Sequence, residues 1–452
     1  MEDWLGNTIT GGTETTRLAI DDFCQGFLAY ETRAVNVLQA ADAEPGHGLA
    51  NTYAAMLHMF AEDPVAPKNA LPYLKRAAAT ASQLSEREQA TLALTRAWVD
   101  GDMAQVYRLG QDAARAFPRD LTLIKIAQYH EFNRGNAAGM LALAEHGRRA
   151  APEIAYAHGM AAFGYEQCHL LDDAEAAAWK AVDLERKEPW AHHALAHVML
   201  TQGRIEEGRQ FLADVADTWT DLNSFMITHN WWHQALFFIS LGRFDDALST
   251  YDSQVWGVWK DYSQDQIGAV SLLARLELAG VDVGDRWRDV ASYLAARTHD
   301  FVNPFLTLQY LYGLARAGRN EAETLMENLR GHAASPGVDP VWSEVALPAA
   351  EGLMAHVKGD YEVAVKHLGM TTGRMLECGG SHAQRDLFEQ ILLDAVIRSG
   401  RDSLAQQMLE MRRGYEPNAI PTNRALAKVY ERLGLSEEAR KAANRATLHP
   451  QN

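Results

Sequence analysis

Gly242-Arg243-Phe244-Asp245-Asp246-Ala247-Leu248 reads as a helix stop followed at once by a helix start. Glycine ends a helix at little cost because it accepts the left-handed backbone of the terminal turn. The acidic pair three residues on suits the positive end of the next helix dipole. Glu206-Glu207-Gly208 after Gly203 and Glu437-Glu438-Ala439 after Gly434 repeat the pattern, with a small residue where paired helices would approach closely. Outward from there, the same punctuation falls at Gly101, Gly135, Gly203, Gly242, Gly280, Gly318, Gly359, Gly400 and Gly434, and His169-Leu170 fills the gap between the second and third. Steps of 34 residues separate Gly101, Gly135, His169 and Gly203, and again Gly400 and Gly434; the remaining steps are 38 to 41. A period of 34 is the tetratricopeptide length. Residues that favour strands seldom alternate. The expectation is an all-α chain of roughly ten tetratricopeptide-like helical-hairpin repeats in one right-handed α-solenoid, because such hairpins bury their apolar faces only by stacking. The longer middle steps predict lengthened helices or loops.

Residues 1–20, rich in Thr and Gly, predict an irregular lead-in, and 21–452 a single solenoid domain without a dividing linker. Glu44-Pro45-Gly46 breaks the first helical stretch. His47 to Phe60 and Leu71 to Ala79 predict the next hairpin, with Pro64 and Pro67 in its loop and Pro72 in the first turn of its second helix. Ser85 with Glu88 predicts a capping box opening a helix that runs to Val99.

The net charge of −17, with no basic run, argues against nucleic acid and anionic membrane surfaces as partners. It biases any cleft toward cationic or neutral ligands. No run of 18 uncharged apolar residues occurs, so no transmembrane helix is expected. The start Met1-Glu2-Asp3-Trp4 has no secretory character. Cys24, Cys168 and Cys378 are isolated, which predicts reduced thiols and a cytoplasmic location.

Chemistry-bearing residues concentrate in the middle. Five of the 17 histidines fall between His192 and His233, where uniform scatter gives about 1.6. His193 and His197, and then His229 and His233, are four apart and share a helix face. Counting back from each turn residue as position 15 of a unit, Trp190, His193 and His197 take positions 2, 5 and 9. His229 and Trp232 take 2 and 5, and Tyr156, Phe163 and Glu166 take 2, 9 and 12. Those are the positions that face inward in such repeats. Each histidine alone is better explained by packing; the cluster favours a pocket. Trp231-Trp232 is first of all core, with one ring free to line a cavity. Four imidazoles could ligate a metal, but the glutamate of a His-Glu-x-x-His helix is missing at Ala194, so the expectation is no cofactor, with a labile divalent metal on His193, His197, His229 and His233 as the exception.

Gly379-Gly380-Ser381-His382-Ala383-Gln384-Arg385-Asp386 is a second concentration. Ser381 and Gln384 form a capping box. His382 and Asp386 share a face, where the acid either orients the imidazole for acid/base chemistry or forms a structural salt bridge, and Arg385 is a candidate anion anchor. Asp252 is either a partner to a histidine or a helix-surface acid.

His193-Ala194-Leu195-Ala196-His197-Val198, His229-Asn230-Trp231-Trp232-His233, Tyr251-Asp252 and Gly380 to Asp386 together resemble the tetratricopeptide repeat protein 38 family, over most of the chain from about residue 25. The resemblance implies an α-helical solenoid and no particular reaction. At Asn303-Pro304-Phe305-Leu306-Thr307-Leu308-Gln309 similar proteins carry another histidine, which this chain lacks.

The functional expectation is a small-molecule enzyme, a hydrolase or lyase, with a ligand in an inner pocket. His193, His197, His229, His233, Glu166, His382 and Asp386 would carry acid/base chemistry, and Tyr156, Phe163, Trp190, Trp232, Arg385 and Asp252 would contact ligand. The alternative is a repeat scaffold that binds a peptide or partner protein, or a second copy of itself, on its concave face. No phosphate loop, dinucleotide fingerprint or nucleophile elbow is present.

Overall fold

A computed structural model describes residues 1–447. It is all-α, with 24 α-helices in successive hairpins of the tetratricopeptide type. Among the described residues β-pairing is confined to two isolated bridges, Glu2 with Thr8 and Glu31 with Leu222. The turn residues behave as the spacing predicts: Gly101, Gly135, His169, Gly203, Gly242, Gly280, Gly318, Gly359, Gly400 and Gly434 all adopt positive φ, between 57° and 88°. His169 holds the same conformation that glycine holds in the other nine. The acidic pairs sit in the first turns of Ile205–Val215, Phe244–Thr250 and Ser436–Arg445. The small residue at Gly208 has a direct cause, since a Cβ there would lie 2.3 Å from Cζ of the fully buried Phe237.

The lead-in is shorter than the composition suggests. The first helix, Glu14–Ala29, is capped by Thr13, whose hydroxyl accepts from the Thr16 amide. Thr10 ahead of it is tied to Glu88 through both its amide (2.9 Å) and its hydroxyl (2.6 Å). The helix predicted from Leu71 begins at Ala66; Pro67 takes the first turn, and Pro72 lies inside. The Ser85–Glu88 capping box opens Glu86–Val99 as expected. Long helices, Ser224–Ser240 and Ser263–Leu278, and π turns at Tyr251–Val255 and Trp342–Ala346 lie in three of the five longer steps.

Contacts divide the chain into two compact units. Unit 1 is Met1–Leu195 with Asp217–Met226, and unit 2 is Ala196–Ala216 with the chain from Ile227. The Pro189–Thr201 and Ser224–Ser240 helices each begin in unit 1 and end in unit 2. Unit 1 has a core around Phe23, Leu49, Tyr53 and Met56. Unit 2 has one around Trp232, Tyr251, Leu272, Tyr310, Leu353 and Phe388. Within unit 2 the Ser263–Leu278 helix packs on its neighbour Pro304–Arg316 and also on the sequence-distant His382–Arg398.

Candidate functional site

The Ser224–Ser240 helix presents His229 and His233 from one face, and the Pro189–Thr201 helix brings His197. In unit 2 the ligand nitrogens of these three lie within 4.8 Å of one another. His197, His229 and His233 are 0, 7 and 1% exposed. The His197 ring lies 4.6 Å from His233, and His229 stands edge-on to His233 at 4.9 Å. Trp232 lies flat on His229 (5.2 Å, 7°) and edge-on to His233 (4.8 Å), which fixes both rings. Burial, helped by His197, pushes the His229 pKa down to about 3, so its imidazole is a neutral lone-pair donor. His382, the first residue of His382–Arg398, stands edge-on to His197 at 5.3 Å, with its Nε2 3.0 Å from the Thr201 hydroxyl. The Ser381–Gln384 capping box sets the start of that helix as predicted.

Asp386 does not orient His382. Its carboxylate meets two arginines: Arg275 Nη1 donates at 3.1 Å, and Arg412 donates from both terminal nitrogens at 2.5 and 3.0 Å. The reason is burial, since Arg275 is 3% exposed and needs a counter-charge. Burial alone would raise the Asp386 carboxyl, but Arg412 and Arg275 pull it well below the usual carboxylate range. Gln390 donates to Asp386 at 2.6 Å, and Arg412 also donates to Glu416 at 2.9 Å. Burial pushes the Glu416 carboxyl up against the pull of Arg412. These groups line a cavity of about 130 Å³ together with aliphatic side chains, among them Leu200, Leu236, Leu393 and Ile397, and with Ser240, Asp394 and Thr422. On the far side of Arg275 is the Trp232 ring, 5.6 Å from its guanidinium.

Two expected ligand contacts are placed elsewhere. Arg385 donates to the Gly380 carbonyl and so braces the turn ahead of its helix. Asp252 is a surface acid, paired with Arg286 at 2.6 and 2.8 Å.

In unit 1, Trp190 stacks on His193 (4.4 Å, 17°), and Phe163 packs against both, at 4.7 Å from Trp190 and 5.1 Å from His193. Tyr156 is edge-on to Trp4 at 6.2 Å. Glu166 is fully buried and accepts from Gln167 Nε2 at 2.6 Å. His192 is a packing residue: Nδ1 accepts from Trp219 Nε1 at 3.2 Å and Nε2 donates to the Arg186 carbonyl at 2.9 Å. Lys125, absent from the expected site, donates to the Leu28 carbonyl at 3.0 Å and lies 3.8 Å from the Tyr30 ring centre. Burial lowers its pKa and raises that of the buried Glu188, each partly countered by the other. Arg275 was the more readable omission, since a cation inside Leu272-Leu273-Ala274-Arg275-Leu276 interrupts an otherwise apolar helix.

No family model matches the chain. Among solved structures it is similar to a human IFIT1 dimer with m7Gppp-AAAA (TM-score 0.42, 13% identity, 94% of each chain). It is also similar to a Rap protein complexed with competence and sporulation factor (TM-score 0.40, 12% identity, 89% of this chain and 99% of that one). A third is the P58(IPK) TPR domain (TM-score 0.23, 12% identity, 81% of this chain and 94% of that one). Among the described residues no helix is long and apolar enough to cross a membrane.

Proposed function

We propose that the protein holds a small amphipathic molecule in the unit 2 cavity, a binding role rather than catalysis through the histidine group, which does not line that cavity. The observation that carries this reading is the cavity itself, lined largely by aliphatic side chains and carrying the ionic group Arg275, Asp386, Arg412 and Glu416. At about 130 Å³ it is slightly smaller than an engineered cavity of ~150 Å³ that holds benzene. A molecule of about six non-hydrogen atoms with one polar group therefore fits.

The test uses four probes, 3-methylbutanoate, 3-methylbutylamine, benzyl alcohol and phenol, followed by ligand-observed NMR. Leu393→Trp, which fills the cavity from its wall, is the control. At least one probe binds the wild type, and its affinity falls tenfold or more in the variant while the melting temperature holds. Binding of no probe, or binding that the tryptophan leaves unchanged, removes the cavity as the ligand site.

A second reading, a repeat scaffold for a peptide or partner protein, is favoured by one surface feature. Val258 and Trp259 are adjacent and 54% and 55% exposed, with the Trp259 ring stacked 5.2 Å from Tyr262. A large exposed ring of this kind is a common anchor for a partner. Loss of a captured partner on Trp259→Ser, with cavity binding intact, would favour this reading.

A further inference from the structure

We propose that His197, His229 and His233 are ligands of one divalent transition-metal ion, the zinc or cobalt class. This goes beyond the proposed function and does not depend on the cavity, because none of the three lines it.

Geometry carries the argument. Nitrogens bound to one tetrahedral ion at about 2.0–2.1 Å lie about 3.3 Å apart. The three ligand atoms already lie within 4.8 Å of one another, which leaves at most about 1.5 Å to close on binding. Two ligands come from successive turns of one helix and the third from a second helix, the usual way a helical protein builds such a site. Trp232 packs flat against one ring and edge-on to another, which sets their orientation before any ion arrives.

Burial and donor type agree with it. The three rings are almost fully enclosed, at 0, 7 and 1% exposure, so an ion held by them would be shielded from bulk water. Imidazole donors select zinc, copper, iron, cobalt or nickel over magnesium or calcium.

The experiment is a metal titration of the full chain. Protein stripped with EDTA is titrated with cobalt(II), then with zinc(II), and followed by the visible absorption of tetrahedral cobalt and by elemental analysis. One equivalent per chain is expected, with zinc displacing cobalt. His197→Gln and His233→Gln should each weaken binding by at least the roughly tenfold to hundredfold lost when only a supporting partner is removed. The control His58→Gln, at a half-buried histidine of unit 1, should leave it unchanged. If the ligand variants do not fold, X-ray absorption of the zinc-loaded wild type takes their place, with at least three imidazoles at about 2.0–2.1 Å expected. Failure of the stripped wild type to bind either ion at micromolar concentration overturns the proposal. So does metal retained by both ligand variants, or a shell with fewer than three imidazoles. Because the titration needs no cavity ligand, its outcome is separable from that of the probe experiment.

Discussion

Gly208→Ala opposes two effects of known size. Alanine is the better helix residue by about 1 kcal/mol, so on propensity alone the change stabilises. The added Cβ, however, would sit 2.3 Å from Cζ, 2.5 Å from Cε1 and 3.0 Å from Cε2 of Phe237, against an ordinary contact of about 3.5–4.0 Å. Phe237 is fully buried and cannot swing into solvent. Overpacking of this kind costs about 1–3 kcal/mol, occasionally more, and an overlap beyond 1 Å on a trapped ring belongs at the upper end. The steric term therefore wins, with a net loss of about 2 kcal/mol. For a unit of 150–250 residues that lowers the melting temperature by about 4–8 °C. Phe237 follows His233 by one turn of the same helix, so cobalt binding should weaken as well. Gly268→Ala is the internal contrast, since nothing lies within 4 Å of its added Cβ and the propensity gain stands alone. Calorimetry on both variants and on Gly208→Ala/Phe237→Leu decides. The double variant should regain part of the loss, whereas a Gly208→Ala protein as stable as the wild type would refute the packing argument.

His130 is 2% exposed and wedged edge-on against Trp98 at 4.6 Å, and burial pushes its pKa down to about 3. Below pH ~6.5 the unfolded chain binds a proton that the native ring refuses, so stability falls with falling pH, by up to about 1.4 kcal/mol per unit, until the native ring titrates. His130→Phe should flatten the loss between about pH 6.5 and 4 in urea titrations, and an unchanged slope counts against it. Asp386→Asn leaves Arg275 and Arg412 facing an uncharged amide. With the carboxylate side chain 24% exposed, the cost should be about 2 kcal/mol, less than the 3–5 of a fully enclosed pair, and Arg275→Met in the same chain should recover part of it. A chemical-denaturation double-mutant cycle showing no coupling would refute that arrangement.

The turn residues made the fold readable. Their spacing and their acidic followers encode helix ends locally, and all ten adopt the left-handed conformation that the pattern requires. His169 was found by period rather than by type. Gly208 was legible as a small residue, but its reason, the Phe237 ring, lies 29 residues on and appears only in three dimensions. Of the site residues, those four apart on one helix were visible because helical geometry is local, whereas the partners of Asp386 were not. Arg275 is 111 residues before it and Arg412 is 26 after, and no spacing rule links them. The capping box at Ser381 was legible for the same local reason. The pairing of His382 with Thr201, 181 residues away, was not.

An α-helix that gains a residue need not unravel; it can absorb the extra one as a wider turn, the form that Tyr251–Val255 takes. Tyr251 and Val255 remain buried at its ends while Asp252 and Ser253 bulge into solvent. The insertion is thereby confined to four or five positions, and neither the preceding turn at Gly242 nor the helix that opens at Ser263 has to change. Length variation in this chain is thus stored inside helices as well as in loops. An alignment of its repeats on a fixed period will slip at Tyr251 and again at Trp342, pairing buried positions of one repeat with exposed positions of the next.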